Sequence, residues 1–165
     1  NLVIPLLMGI KNLSGNYCTF YNAGFNFRST DLQAKIGQMQ LLKLNEIIQI
    51  RESNFKTYKS LLSDYFCQSS VTTPLSSFAY GTYTKNRLEV FKHLQKNEIE
   101  SRPLICGNIS RHPFWKKYNS DNSCKDLPNA NYLHDHGIYL PNHHNMSKKD
   151  IYHVAETFMN IADIA

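Results

Sequence analysis

Gly24-Phe25-Asn26-Phe27-Arg28-Ser29-Thr30-Asp31-Leu32-Gln33-Ala34 reads as a tight turn that runs into a capped helix start. Gly24 has access to backbone angles that other residues avoid. Thr30 followed by Gln33 is a T-x-x-Q capping box, so the helix is expected to begin at Asp31. Asp31 then sets a negative charge against the positive end of the helix dipole. Asn26 and Arg28 stand just ahead of that N-terminus, a place suited to meeting phosphate. The plain alternative is an ordinary loop-to-helix junction.

Beyond Asp31 the pattern is helical. Leu32, Ile36, Met39, Leu44, Ile47, Ile48, Phe55, Tyr58, Leu62 and Tyr65 recur at threes and fours. A helix running to Tyr65 exceeds ordinary globular lengths, so a break or bend near Asn45 is expected. The stripe suits core packing or a dimer surface, and its apolar positions wrap more than one face.

Further along, Phe78 to Thr84 is aromatic and threonine-rich, which predicts a strand. Asn86-x-x-Glu89 reads as the cap of a helix that buries Leu88, Phe91 and Leu94 and ends near Asn97. Ile99 to Leu104 reads as a second strand, followed by a long loop from Ile105 to Lys125. Pro128 suits the first turn of a short helix and Gly137 its stop. Ile138 to Leu140 is a short strand, and Ser147-x-x-Asp150 caps a last helix. That helix buries Ile151, Val154, Ala155, Phe158, Ile161 and Ala162. A long helix followed by three strand–helix units gives an α/β fold, a small mixed sheet packed with helices.

Composition sets bounds. The 165 residues are enough for one domain with a real core. A charge of +5 without a Lys/Arg run gives no nucleic-acid signature. The apolar opening from Leu2 to Ile10 is too short to span a bilayer and lacks the flanks of a signal peptide. Cys18, Cys67, Cys106 and Cys124 form no C-x-x-C pair, which reads as a reduced, cytoplasmic thiol set. Asn12-Leu-Ser, Asn108-Ile-Ser and Asn145-Met-Ser fit the glycosylation triplet, and without a secretory signal they read as chance matches.

Five histidines precede the last helix: His112, His134, His136, His143 and His144. His134 and His136 would point about 200° apart on a helix and cannot share a metal by themselves, so they read as surface residues. Arg102 is kept extended by Pro103. Its guanidinium can grip a carboxylate or phosphate with two prongs, or form an ion pair with an acid such as Glu100 or Asp150.

Gly24-Phe-Asn-Phe-Arg-Ser-Thr-Asp-Leu-Gln-Ala34 resembles the G-[YF]-N-[YF]-R-x-[ST]-[DN]-[LI]-Q-A signature of the DegT/StrS family of pyridoxal-phosphate-dependent sugar aminotransferases and dehydratases. The likeness continues through Ile36–Ile48. It resumes at Glu98-Ile-Glu-Ser-Arg-Pro103, similar to the family's G-I-E-T-R-P strand. It appears again at Gly137-Ile-Tyr-Leu-Pro-Asn-His-His144, similar to its L-P-x-H segment. Leu104-Ile-Cys-Gly-Asn-Ile-Ser-Arg-His-Pro113 looks more like the 3-dehydratase branch, such as GDP-4-keto-6-deoxymannose 3-dehydratase. Leu127-Pro-Asn-Ala130 and Asn142-His-His144 lean the same way.

The resemblance implies a fold-type I enzyme whose large cofactor-binding domain precedes this chain. Residues 1–28 would be the lead-in and 29–165 the small C-terminal α/β domain. It implies PLP or PMP as cofactor, a nucleotide-diphosphate sugar as substrate and a homodimer partner. Asn26 would reach the cofactor phosphate in the partner subunit's site. Arg28, Arg102, Asn108, Arg111, His112, His143 and His144 would line the substrate side. The Schiff-base Lys or its His substitute, and the Asp that pairs with the pyridine nitrogen, have no candidate here in the family's setting, so the chain alone is expected to be inactive. The alternative reading is a non-catalytic α/β interaction module that binds a partner through the Ile105 to Lys125 loop.

Overall fold

The computed structural model describes residues 30–67, 75–105, 107–119 and 127–164. Asn26 and Arg28 lie outside the described residues. Helix α1 (Asp31–Leu41) begins where the capping box places it: the Gln33 N–H donates to Thr30 Oγ1 at 3.3 Å, and the Thr30 N–H donates to Gln33 Oε1 at 2.9 Å. The break falls at Leu42-Lys43, slightly before the expected Asn45, and α2 (Leu44–Leu61) follows.

The remaining elements are β1 (Ala79–Tyr83), α3 (Arg87–Lys96), β2 (Arg102–Pro103), a 3-10 turn at Ile109–Arg111, α4 (Pro113–Tyr118), α5 (Pro128–His136), β3 (Gly137–Pro141) and α6 (Lys148–Met159). The expected α/β architecture holds, but the small sheet is not mixed: it pairs antiparallel throughout in the order β1-β3-β2. Tyr80 faces Leu140 and Thr82 faces Ile138 across the central pair. These four side chains are fully buried.

The core lies between one sheet face and helices α2, α3 and α6. Phe55, Tyr58 and Leu62 meet Tyr80, Val90, Leu94, Ile138, Leu140, Ile151, Val154 and Phe158 there. Burying a large apolar side chain stabilises by roughly 1.5–3 kcal/mol, so this cluster dominates the folding free energy. Helix α1 stands apart from it. None of its residues is buried, and Leu32 and Ile36 keep 71% and 53% of their surface exposed.

Several local readings are corrected. Asn86 does not cap α3 through its side chain. Its Nδ2 donates to the Ile161 carbonyl at 2.7 Å, and its Oδ1 accepts from Thr84 Oγ1 and the Asp163 N–H, tying the C-terminal tail to β1. Leu88 faces solvent, and Val90 takes its place in the core beside Leu94. The second strand shrinks to Arg102-Pro103. The long loop carries α4, with Pro113 at its first position. Gly137 begins β3 in extended backbone, and a Cβ there would overlap Leu104 Cδ1 and the Leu133 carbonyl. Close approach, not a left-handed stop, explains that glycine.

Candidate functional site

Helix α2 and the turn after β3 are laced together. On α2 the apolar stripe is interrupted by polar side chains that face the protein interior. Tyr58 Oη donates to the Pro141 carbonyl at 2.9 Å, and Asn54 Nδ2 donates to the His143 carbonyl at 3.2 Å. From the turn, Asn142 Nδ2 donates to the Arg51 carbonyl at 3.1 Å and the Ser77 carbonyl at 2.9 Å. Asn142 is 2% exposed, so these bonds form out of water, where an unmet donor would be costly. Burial raises the Tyr58 hydroxyl pKa, with Asp150 adding to it, and keeps it a neutral donor. The strapped turn presents His143 and His144 side by side, ring centroids 4.2 Å apart. Partial burial, then His143, Arg51 and Lys43, lower the His144 pKa, while Glu46 opposes them. Paired imidazoles can donate to or accept from a polar ligand.

The second group of expected residues folds onto α5. Gly107 has φ +63°, a left-handed conformation. That turn brings the Asn108 N–H to His134 Nδ1 at 3.1 Å. Asn108 is buried: its Nδ2 donates to Asn131 Oδ1 at 2.8 Å, and its Oδ1 accepts from the Ser110 N–H and hydroxyl. His112 is buried too, its ring 6.2 Å from that of His134. Arg111 reaches Asp135 with both carboxylate oxygens at 2.8 Å and pulls the Asp135 pKa down. Arg102 pairs with Glu100, Nη2 to Oε1 at 2.6 Å, which is one of the two acids named for it. His134 and His136 are half-buried, not surface residues. Arg87 donates to the His134 carbonyl at 2.6 Å and the Gly137 carbonyl at 3.2 Å.

His143 and His144 thus share one corner with Arg51 and Asn142, whereas Asn108, Arg111 and His112 belong to a separate loop–helix unit. The hydrogen-bonding roles of Asn54, Tyr58 and Asn142 leave no local mark in the sequence, because their partners lie more than 60 residues away. A further cleft of about 830 Å³ opens on the other sheet face, lined by Phe66, Phe78, Tyr83, Tyr132 and Tyr139. Among the described residues no group of His, Cys, Asp or Glu could hold a metal, and no helix is long and apolar enough to cross a membrane.

The described residues do not fit the anchoring of PLP. The chain's S-x-x-K run, Ser53-Asn54-Phe55-Lys56, lies within α2, and Lys56 is paired with Glu52 at 2.9 Å. It offers no free amine in a cofactor pocket.

Comparison with known proteins adds the context. The chain superposes on the Escherichia coli GDP-4-keto-6-deoxy-D-mannose-3-dehydratase, solved with bound hydrated PLP, with a TM-score of 0.68 and 26% identity. The match covers 82% of this chain and 36% of that one. The GDP-4-keto-6-deoxy-D-mannose 3-dehydratase of Yersinia pseudotuberculosis is 29% identical over 131 residues, 75% of this chain and 33% of the relative. The lipopolysaccharide biosynthesis protein RfbH of Salmonella typhimurium is 29% identical over 109 residues, 59% of this chain and 24% of the relative. The chain spans about a third of the length of the first of these curated relatives. Residues 6–159 match the DegT/DnrJ/EryC1/StrS aminotransferase family, and the chain belongs to it.

Proposed function

We propose that this chain is the C-terminal part of a PLP- or PMP-dependent enzyme that modifies a nucleotide-linked deoxysugar, as a 3-dehydratase or an aminotransferase. The observation that carries this reading is the match over 75% of the chain to a GDP-4-keto-6-deoxy-D-mannose 3-dehydratase, within a family match over residues 6–159. In this reading residues 1–28 lead in from the cofactor-binding domain and 29–165 form the small domain. The cofactor, when bound, supplies the electron sink. The chain's own residues hold and orient the substrate.

His143 and His144, on the strapped turn, provide hydrogen-bonding groups toward the sugar nucleotide. Arg102 and Arg111 line the substrate side, where each is held by an acid, Glu100 and Asp135. Asn108 and His112 act from within the loop, fixing the backbone that carries Arg111. Asn26 meets the cofactor phosphate across a homodimer interface, and Arg28 joins the substrate side. The exposed Leu32, Ile36 and Met39 of α1 support a partner surface at that helix. A cytoplasmic location accords with this chemistry.

The test is cofactor uptake followed by absorbance. The protein at full encoded length is expected to bind PLP or PMP, and the 165-residue chain alone to bind neither. Saturable micromolar binding by the 165-residue chain would overturn the placement of the cofactor site outside it.

A further inference from the structure

Four arginines fall within the described residues, and three have their charge or donors engaged. Arg102 meets Glu100, Arg111 meets Asp135, and Arg87 is spent on two carbonyls. Arg51 differs. It is half-buried in the middle of α2, and its Nε is buried with no hydrogen-bond partner. It takes part in no ion pair among the described residues. Its neighbours Glu46 and Glu52 do not pair with it, and Glu52 is taken by Lys56.

Two more orphan polar atoms lie on the turn strapped to Arg51. His144 Nδ1 is buried without a partner. Asn142 Oδ1 is buried without a donor, and the amide cannot turn to satisfy it, because Nδ2 must face the two carbonyls it serves. A buried donor left unmet costs about 1–3 kcal/mol, and native proteins leave few such groups. Arg51 Nε and His144 Nδ1, two nitrogens in one corner, lack a counterpart, whereas Asn142 Oδ1 is an acceptor that an anion would not satisfy. Arg51 and Lys43 outweigh Glu46 there, so the counterpart is an anion that brings acceptor oxygens. A guanidinium beside an imidazole suits a phosphate oxygen.

We propose that Arg51 and His144 hold the diphosphate of the nucleotide sugar, with Asn142 as the buried residue that positions the histidine turn. This deepens the reading given under Proposed function and rests on it. It also supplies an arginine that need not abandon an acidic partner to bind.

The test uses the protein at full encoded length, titrated calorimetrically with GDP and, separately, with inorganic phosphate. Arg51→Gln is expected to weaken GDP binding about tenfold to a hundredfold, as for one lost charge-assisted contact. Arg51→Lys, which keeps the charge and the stem, is expected to recover part of that loss. The dependence of log Kd on log salt is expected to be shallower in Arg51→Gln than in wild type, which a merely structural role would not produce. Equal GDP affinity in wild type and Arg51→Gln overturns the proposal and leaves the enzyme reading intact. A lower Tm with unchanged affinity and salt slope also overturns it, and assigns Arg51 to an acidic side chain elsewhere in the polypeptide. Arg51-dependent binding of phosphate without GDP binding overturns the diphosphate assignment. A wild-type protein that binds neither ligand overturns the proposal and the nucleotide-sugar reading together.

Discussion

Replacing Asn142 with Asp is nearly isosteric, yet it reverses the chemistry at the strap between α2 and the histidine turn. The native Nδ2 donates to the Arg51 and Ser77 carbonyls from a side chain 2% exposed to solvent. A carboxylate would set a negative charge against both carbonyl oxygens. A protonated carboxyl could still donate to one of them, so a single bond is lost, about 1 kcal/mol. Keeping the group neutral at pH 7, against an ordinary value of about 3.9, costs at most about 4 kcal/mol at 1.36 kcal/mol per unit. If the turn opens to water instead, the loss is the two bonds, about 1–3 kcal/mol. The cheaper response sets the cost, so Asn142→Asp is expected to destabilise by about 1–3 kcal/mol at pH 7, a sizeable part of a typical domain's stability.

The sign of its pH dependence follows. A folded-state value raised above the unfolded one means that the folded state binds more protons between the two. The penalty is then absent below the unfolded value and grows as pH rises toward the folded one. Urea denaturation of wild type and variant between pH 4 and 8 measures it. A difference within about 0.5 kcal/mol at pH 7, the range of ordinary surface substitutions, would refute the strap. So would a larger difference that does not change with pH.

Gly107→Ala places a methyl group on a backbone with φ +63°, where it overlaps His134 Nδ1 and comes within 2.7 Å of His134 Cγ. The left-handed backbone costs roughly 1–2 kcal/mol and the displaced Asn108–His134 bond about another 1 kcal/mol, so an unfolding free energy unchanged in urea would contradict this turn. His134 has its pKa lowered by burial first and Arg111 second, and its Nδ1 must stay unprotonated to accept the Asn108 N–H. Its contribution is complete above the unfolded value near 6.5 and is lost as pH falls below it toward the folded value. His134→Asn, which keeps an acceptor that does not titrate, is expected to flatten the stability profile in that window, and an identical slope in both proteins would rule the role out. For Arg102→Ala, an unchanged KM together with a lower Tm in the full-length protein would leave the Glu100 pair as its whole role.

Elements whose ends are set by neighbouring residues were legible in the sequence. Thr30 with Gln33 and Ser147 with Asp150 both form the capping boxes their spacing announces, so α1 and α6 start where read. Features set by distant partners were not. Asn86 carries a local cap signal, yet its amide is drawn to Ile161 and Asp163 of the C-terminal tail. The loop after Arg102 looked irregular because α4 is only six residues long, too short to show a period. At the candidate site His143 and His144 were legible through the motif. Arg51 was hidden in a helical stripe whose apolar neighbours drew the reading toward the core. Asn54 and Tyr58 were masked the same way, and a backbone carbonyl as partner leaves no trace in sequence.

The most direct measurement is product analysis. The protein at full encoded length is incubated with PMP, glutamate and GDP-4-keto-6-deoxymannose, and the sugar is followed by mass spectrometry and proton NMR. Loss of the C3 oxygen is the predicted result for a 3-dehydratase, and an amine in place of the carbonyl for an aminotransferase. An unchanged sugar nucleotide, in a protein shown to have taken up the cofactor, would contradict the account for this substrate.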